Sequence, residues 1–166
     1  MDIPQNYIDV LQWIVGIFRQ HNIPYVLTGG TAARIYGSPR RVIDLDFDIP
    51  DQDIQSVADS LKQYVVSGPE MHTGGAFTNI LLELEYNGVP IDIGGADSSK
   101  TFNRKNKTYV TDPTDINRFN MVNIGGENIR VVPREDLISY KSKLSREVDL
   151  KDVKAMKKQF SPPTII

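Results

Sequence analysis

The segment Ile43-Asp44-Leu45-Asp46-Phe47-Asp48-Ile49 alternates apolar and acidic residues, and this pattern strongly limits how the chain can fold. Successive side chains of a strand point to opposite faces, so one face would carry four apolar residues and the other three aspartates. The apolar face predicts burial in a core. Carboxylates on one face repel each other, so the acidic face either points into water or surrounds a cation. The alternation alone leaves both interpretations open.

Periodic segments elsewhere predict a small domain of the α+β (α/β) class. Apolar residues at helical spacing predict helices over residues 7–19, 31–36, 51–64, 134–145 and 150–159. Short apolar runs predict strands over 25–27 and 41–49 and hairpins over 79–93 and 121–132. Residues 68–78 and 96–108 are expected to be irregular loops. These elements predict a small, twisted mixed sheet flanked by helices, with a C-terminal helical pair.

The composition excludes several classes of protein. The 166 residues include no cysteine, which excludes disulfides, thiol catalysis and cysteine-based zinc sites. The sequence has no apolar stretch long enough to cross a bilayer and no basic region typical of a secretory signal. We therefore expect a cytoplasmic protein without a membrane partner. A net charge of −2 gives no overall attraction to nucleic acid, so an anionic substrate must be bound locally.

Two further features favour a cation between the acids. Asp92 lies in the apolar run Val89-Pro90-Ile91-Asp92-Ile93, and a neighbouring strand would bring it beside Asp44 and Asp46. Three converging carboxylates are what a two-metal phosphoryl-transfer site requires. Gly29-Gly30-Thr31 lies between a short strand and a helix, where backbone amides can approach phosphate oxygens. Taken alone, Asp92 could be a strand-end acid in solvent, and Gly29-Gly30-Thr31 could be an ordinary tight turn. The order of strand, turn, helix and Asp-x-Asp strand along the chain is more specific than either feature.

This order resembles the DNA polymerase beta-type nucleotidyltransferase superfamily, in which a Gly-Gly or Gly-Ser turn and a helix precede an Asp-x-Asp strand and a later third acid. The matching segments are Leu27–Ala32, Arg40–Phe47 and Ile91–Ile93. Within the superfamily, the chain resembles the small bacterial and archaeal branch that includes abortive-infection toxin-type and lincosamide-type nucleotidyltransferases. Arg40 matches an arginine common four residues before the first aspartate, whereas Val42 replaces a common threonine.

The resemblance implies a role for each matched residue. Asp44, Asp46 and Asp92 would be catalytic and would hold Mg²⁺ or Mn²⁺, with Asp92 at the attacking oxygen, where it could also accept the proton. Asp48 would lie outside the site, one strand pitch further along. The residues expected at the triphosphate are Gly29, Gly30, Thr31, Arg40 and Lys141. Arg40 could alternatively pair with a nearby acid, and composition alone makes Lys141 an ordinary surface charge.

The same resemblance implies a metal-dependent enzyme that transfers a nucleoside monophosphate from a nucleoside triphosphate to RNA, protein or a small molecule and releases pyrophosphate. Alternative hypotheses are a toxin–antitoxin or defence component that uses this chemistry and a non-catalytic nucleotide-binding module.

We expect residues 1–132 to form the nucleotidyltransferase core, 133–160 a helical extension packed on it and 161–166 a tail. A second copy of the chain or an antitoxin is an expected partner. Either the final two helices determine acceptor specificity, or a second subunit completes the cleft. Arg146 and Asp152 are expected to lock the corner between the last two helices.

Overall fold

The computed structural model describes residues 2–158, which form five α-helices and nine strands. The helices are α1 (Gln5–Gln20), α2 (Gly29–Ile35), α3 (Ile54–Ser60), α4 (Arg134–Leu144) and α5 (Glu147–Lys158). The strands are β1 (Val26–Thr28), β2 (Leu45–Ile49), β3 (Val65–His72), β4 (Phe77–Tyr86), β5 (Val89–Gly95), β6 (Lys100–Asn103), β7 (Thr108–Thr111), β8 (Asn120–Ile124) and β9 (Glu127–Val131). In this part of the chain, no helix combines the length and apolar character needed to span a bilayer.

The strands join in one mixed sheet, which confirms the predicted fold class. Their order is β7-β6-β4-β5-β2-β1-β9-β8, and β3 pairs with β4 outside this path. The β2–β5 and β1–β9 pairs are parallel, and the remaining pairs are antiparallel. Strand β2 therefore lies in the middle of the sheet, hydrogen-bonded on both sides, where its side chains are held in a fixed register.

The apolar face of β2 packs into the main core. Leu45, Phe47 and Ile49 are buried on this face, as the alternation predicts. Helix α1 contributes the buried side chain of Phe18, whose ring meets that of Phe47 edge-on with a centroid distance of 5.4 Å. Because this face is sealed by the helix, the opposite face of β2 is the one left for the aspartates.

The predicted strand over residues 41–49 is too long at its N-terminal end. Strand β2 begins at Leu45, and the side chain of Ile43 is 59% exposed, so the prediction that Ile43 belongs to the core was wrong. Residues 39–44 belong to no strand, so no strand register decides which of their side chains face the core. Val42 is the residue of this segment that packs into the core, and its neighbour Ile43 faces solvent. Asp44 is thus the residue immediately before the strand.

The two predicted loops were also wrong, because both contain strands. Residues 65–72 form β3, which pairs with β4, and residues 100–111 form the β6–β7 hairpin. Strand β3 contains Gly68-Pro69 and pairs irregularly with β4, and β6 and β7 are short and mostly polar. None of the three therefore shows the apolar alternation from which strands are recognised. The hairpins predicted over 79–93 and 121–132 are confirmed, and Asn87 and Gly88 supply the two positive-φ positions of the first turn.

The predicted C-terminal helical pair is present as α4 and α5. Helix α4 packs against β6 and α2, and α5 packs against α4. The buried side chains of Leu137, Val153 and Met156 join the main core. The predicted last residue of the final helix, Gln159, and the predicted tail over 161–166 lie outside the described residues.

We expect Phe47→Ala to lower the free energy of unfolding by about 3–5 kcal/mol, because it removes a buried ring and leaves a cavity beside α1. Ile43→Ala, only four residues away, should change it by less than about 0.5 kcal/mol because Ile43 is exposed. Urea denaturation followed by circular dichroism measures both values. Equal losses in the two variants would contradict the assignment of β2 to the core.

Candidate active site

Three aspartates converge on the face of the sheet opposite α1. Strands β2 and β5 are parallel, and their register places Asp46 directly beside Asp92. Asp44 lies just before β2, on the same side as Asp46. Carboxylate oxygens of Asp44, Asp46 and Asp92 all lie within 4.8 Å of one another. This donor set fits a hard divalent cation, since such ions take oxygen ligands and are commonly held by carboxylates.

The electrostatics of the three acids also fit a cation. Burial and the neighbouring carboxylates of Asp44 and Asp92 raise the pKa of Asp46 to about 8. Burial, followed by Asp44 and Glu83, raises the pKa of Asp92 to about 6. Burial raises the pKa of Asp44 too, although Arg40 and Lys141 oppose the rise. The fully ionised cluster is therefore unfavourable by itself, and a positive charge between the oxygens would relieve it.

The turn Gly29-Gly30-Thr31 contacts the acids directly. Gly29 has φ of 63°, and a Cβ atom there would overlap the carboxylate of Asp46. The backbone N–H of Gly30 donates a hydrogen bond of 3.2 Å to Asp46, and the Thr31 hydroxyl donates one of 2.8 Å to the Asp44 carbonyl. The glycines thus permit a close approach that only a residue without a side chain allows. Thr31 is fully buried, so its hydroxyl fixes the backbone beside the first aspartate.

Arg40 and Lys141 meet in a buried ion network centred on Asp152. The Asp152 Oδ2 atom lies 2.8 Å from Lys141 Nζ and 3.1 Å from Arg40 Nη1. The Ser38 hydroxyl donates a 2.6 Å hydrogen bond to Asp152 Oδ1, and Lys141 Nζ also lies 3.4 Å from Asp149 Oδ1. Burial disfavours ionised Asp152, but the bonds from Lys141 and Ser38 outweigh it and lower its pKa. The network therefore keeps Asp152 charged in the interior.

Arg40 and Lys141, which we predicted to bind phosphate, both form ion pairs with Asp152 in this network. Arg40 pairs with an acid, which was one of its two expected roles, and its guanidinium lies against Gly30. Its side chain is still 26% exposed, whereas that of Lys141 is buried. Both cations lower the pKa of Asp44, so their charge reaches the acidic cluster. Arg146 binds Asp149 through its backbone N–H and guanidinium, at the corner between α4 and α5.

A cavity of about 350 Å³ lies between the acidic face of β2 and β5 and one side of α4. Asp48, which we predicted to lie outside the site, lines this cavity together with Asp46 and Asp92. Burial raises the pKa of Asp48 to about 6, although a 2.6 Å hydrogen bond from the Thr114 hydroxyl opposes the rise. The sequence analysis did not find the other polar lining residues, which include Asn79, Asp112, Thr114 and Asp115. Residues 112–115 belong to no strand or helix, so no periodic pattern marks them.

We expect Asp152→Ala to lower the free energy of unfolding by about 3–5 kcal/mol, because it leaves Lys141 buried with only one longer ion pair. Lys151→Ala is the matched control on the same helix, since it removes an exposed pair with Glu147 and should cause no measurable change. Thermal and urea denaturation measure both variants. A loss no larger than that of the control would contradict the buried network.

In metal-free protein, stability should fall as the pH rises from about 6, the raised pKa of Asp48 and Asp92, to about 8, the raised pKa of Asp46. The raised pKa of Asp46 means that the folded state retains a proton that the unfolded chain has released, so folding is favoured at low pH and this advantage is lost towards pH 8. Urea denaturation in a chelator should show a fall on the order of 1 kcal/mol per pH unit. Asp46→Asn should flatten this slope, whereas Asp59→Asn, on the exposed side of α3, should retain it. An unchanged slope in Asp46→Asn would contradict the crowding of the acids.

No protein-family profile and no curated protein sequence matches this chain. Solved structures do match. A predicted nucleotidyltransferase from Thermotoga maritima has a TM-score of 0.74 at 20% identity, over 95% of this chain and 94% of its own. The lincosamide adenylyltransferase LnuA, bound to lincomycin, has a TM-score of 0.58 at 20% identity, over 95% of this chain and 98% of its own. The antibiotic-resistance factor ANT(2'')-Ia has a TM-score of 0.61 at 13% identity, over 95% of this chain and 85% of its own. The chain therefore has the nucleotidyltransferase fold.

Proposed function

We propose that this protein is a metal-dependent nucleotidyltransferase that moves a nucleoside monophosphate from a nucleoside triphosphate to a hydroxyl group of a small-molecule acceptor. The observation that carries the proposal is the convergence of Asp44, Asp46 and Asp92, with oxygens within 4.8 Å of one another. The fold supports it, because two of the matching solved structures are described as a nucleotidyltransferase and a lincosamide adenylyltransferase. A fold alone does not specify chemistry, so the site is the stronger support.

The three aspartates would hold a divalent cation, for which we propose Mg²⁺ or Mn²⁺. Carboxylate oxygens suit both ions, and the raised pKa of Asp46 supports a positive charge at this position. When bound, such an ion supplies charge stabilisation at the reacting phosphate and orients the substrate oxygens. The turn at Gly29 and the hydrogen bond from Gly30 hold Asp46 in place for this purpose.

In the proposed reaction, the hydroxyl oxygen of the acceptor forms a bond to the α-phosphorus of the triphosphate. The bond from that phosphorus to the oxygen that bridges to the β-phosphorus breaks, and pyrophosphate leaves with the electron pair. The hydroxyl proton passes to the carboxylate of Asp92. Asp92 belongs to the carboxylate cluster, so its oxygens would lie near the reacting hydroxyl group.

Arg40 is the cation best placed to contact the triphosphate in this proposal. Its guanidinium lies against Gly30 and is partly exposed, so it could bind a phosphate oxygen while it keeps its bond to Asp152. Lys141 is buried, so we assign it a supporting role, in which it anchors Asp152 and adds positive charge near Asp44. Gly29 and Gly30 would bring backbone close to the phosphates, and Thr31 would fix the turn.

The size of the cavity favours a small molecule as the acceptor. A volume of about 350 Å³ falls within the range of small-molecule sites, and the cavity adjoins Asp46 and Asp92. LnuA is described with lincomycin bound, and ANT(2'')-Ia in complex with adenylyl-2''-tobramycin, so the same fold can take small acceptors. The acceptor would approach Asp92 from this side of the sheet.

We expect Asp44→Asn to lower metal-dependent release of pyrophosphate by at least about 100-fold, because it removes one oxygen ligand and one negative charge from the cluster. The assay measures pyrophosphate from each of the four nucleoside triphosphates with Mg²⁺ or Mn²⁺ and small alcohol acceptors. Asp59→Asn is the control for loss of one surface charge and should retain full activity. Full activity in a folded Asp44→Asn protein would overturn the proposed function.

A further inference from the structure

The cavity beside the acidic cluster carries a strong excess of negative charge. Six aspartates line it, namely Asp46, Asp48, Asp92, Asp112, Asp115 and Asp136. The lining has two basic residues, and each is already paired with an acid of the same wall. Lys143 Nζ lies 2.6 Å from Asp112, and Arg118 Nη1 lies 3.1 Å from Asp136. The negative charges of the other four lining acids, Asp46, Asp48, Asp92 and Asp115, are therefore not balanced by a basic residue of the wall.

Two of those four acids belong to the candidate metal site, and the other two do not. Asp48 accepts a hydrogen bond from the Thr114 hydroxyl, and Asp115 accepts one from the backbone N–H of Asn117. Within residues 2–158, neither of them forms an ion pair with a basic residue. Even with a cation held by Asp46 and Asp92, this part of the wall would remain negatively charged.

The wall also contains hydrogen-bond acceptors that lack donors. Asn79 lines the cavity and is only 7% exposed, and its Oδ1 atom has no hydrogen-bond partner. The Oδ2 atom of Asp112 is buried without a partner as well. Buried acceptors normally have donors, so a ligand that brings N–H or O–H groups would satisfy these two oxygens.

The available positive charge lies elsewhere. Arg40 and Lys141 belong to the network around Asp152 and influence Asp44, and neither lines the cavity. A triphosphate is repelled by the acidic wall and attracted to the side of Arg40. The two reactants of a transfer would therefore meet where Gly29 lines the cavity, with the anion on the side of Gly30 and a donor-rich, positively charged molecule on the side of Asp48 and Asp115.

We infer that the acceptor is a cationic, amine-bearing alcohol, and that Asp48, Asp115 and Asn79 form the part of the cavity that selects it. This inference rests on the proposed function, in which the hydroxyl group of the acceptor receives the nucleoside monophosphate. Binding of the cation itself does not require that reaction. Ammonium groups would face Asp48 and Asp115, and a further donor would bind Asn79 Oδ1. A neutral sugar offers hydroxyl donors without the charge, so it would bind more weakly.

Calorimetric titration of the protein with Mg²⁺ and α,β-methylene-ATP tests the inference. The probes are tobramycin, a polycationic alcohol, spermidine, a cation without hydroxyl groups, and raffinose, a neutral sugar. We expect at least one of the two cations to bind with an affinity at least about tenfold higher than that of raffinose. Raffinose binding as tightly as both cations, or no binding of either cation, would overturn the inference.

Substitution of Asp115 shows whether a bound cation occupies the cavity. Asp115 is exposed, and asparagine can keep its hydrogen bond to the Asn117 backbone, so Asp115→Asn should fold normally. It should weaken cation binding about three- to fivefold, and Asp115→Lys should weaken it further. Asp59→Asn, which removes an acid outside the cavity, should leave the affinity unchanged. Equal affinities in all these variants would place the cation elsewhere and overturn the inference.

A parallel assay of pyrophosphate release separates the inference from the proposed function. Cation binding that depends on Asp115, without release that depends on Asp44, would support the inference about the cavity and refute the proposed enzyme. Release that depends on Asp44, without cation binding, would support the enzyme and refute the inference.

Discussion

Mutual repulsion among three carboxylates is the constraint on which the rest of this structure depends. The parallel register of β2 and β5 places Asp46 beside Asp92, and Asp44 precedes the strand on the same side. The surroundings hold these groups together. Gly29 has no side chain to collide with Asp46, Gly30 donates a hydrogen bond to it, and the charges of Arg40 and Lys141 favour ionised Asp44. Each of these features has little use in a sheet without the acidic cluster.

The ion network around Asp152 makes the C-terminal helices part of this arrangement. Lys141 comes from α4, Asp152 from α5, and Arg40 from the segment between α2 and β2. Because Asp152 is buried and shared by both cations, movement of α5 would also displace Arg40 from Gly30. The two helices thus do more than cover the sheet, since they set the position of positive charge beside the acids. The cavity depends on them as well, because α4 forms one of its walls.

The sequence predicted the centre of the fold better than its edges. Alternation around Asp46 and the apolar run around Asp92 both reflect burial of one face, so they located β2 and β5 and correctly expected the two acids to be neighbours. Ile43 fits the same alternation but lies before the sheet begins, where its neighbour Val42 packs into the core instead. Strand β3 is interrupted by Gly68-Pro69, and β6 and β7 are short and mostly polar, so these three strands show no such pattern. Asp48 and Asp115 line one cavity because of tertiary packing, and spacing along the chain cannot predict that.

The ion network around Asp152 and the acidic wall of the cavity differ in their access to water, and therefore in their response to ionic strength. Asp149, Asp152 and Lys141 are buried, where dissolved ions do not reach them, whereas Asp115 and Arg118 on the cavity wall are exposed. At physiological ionic strength, interactions between exposed charges fade over a Debye length of about 8 Å. Added salt would thus weaken the attraction of the cavity for a charged molecule and leave the interior network intact. Salt concentration becomes a means to adjust substrate capture without loosening the fold.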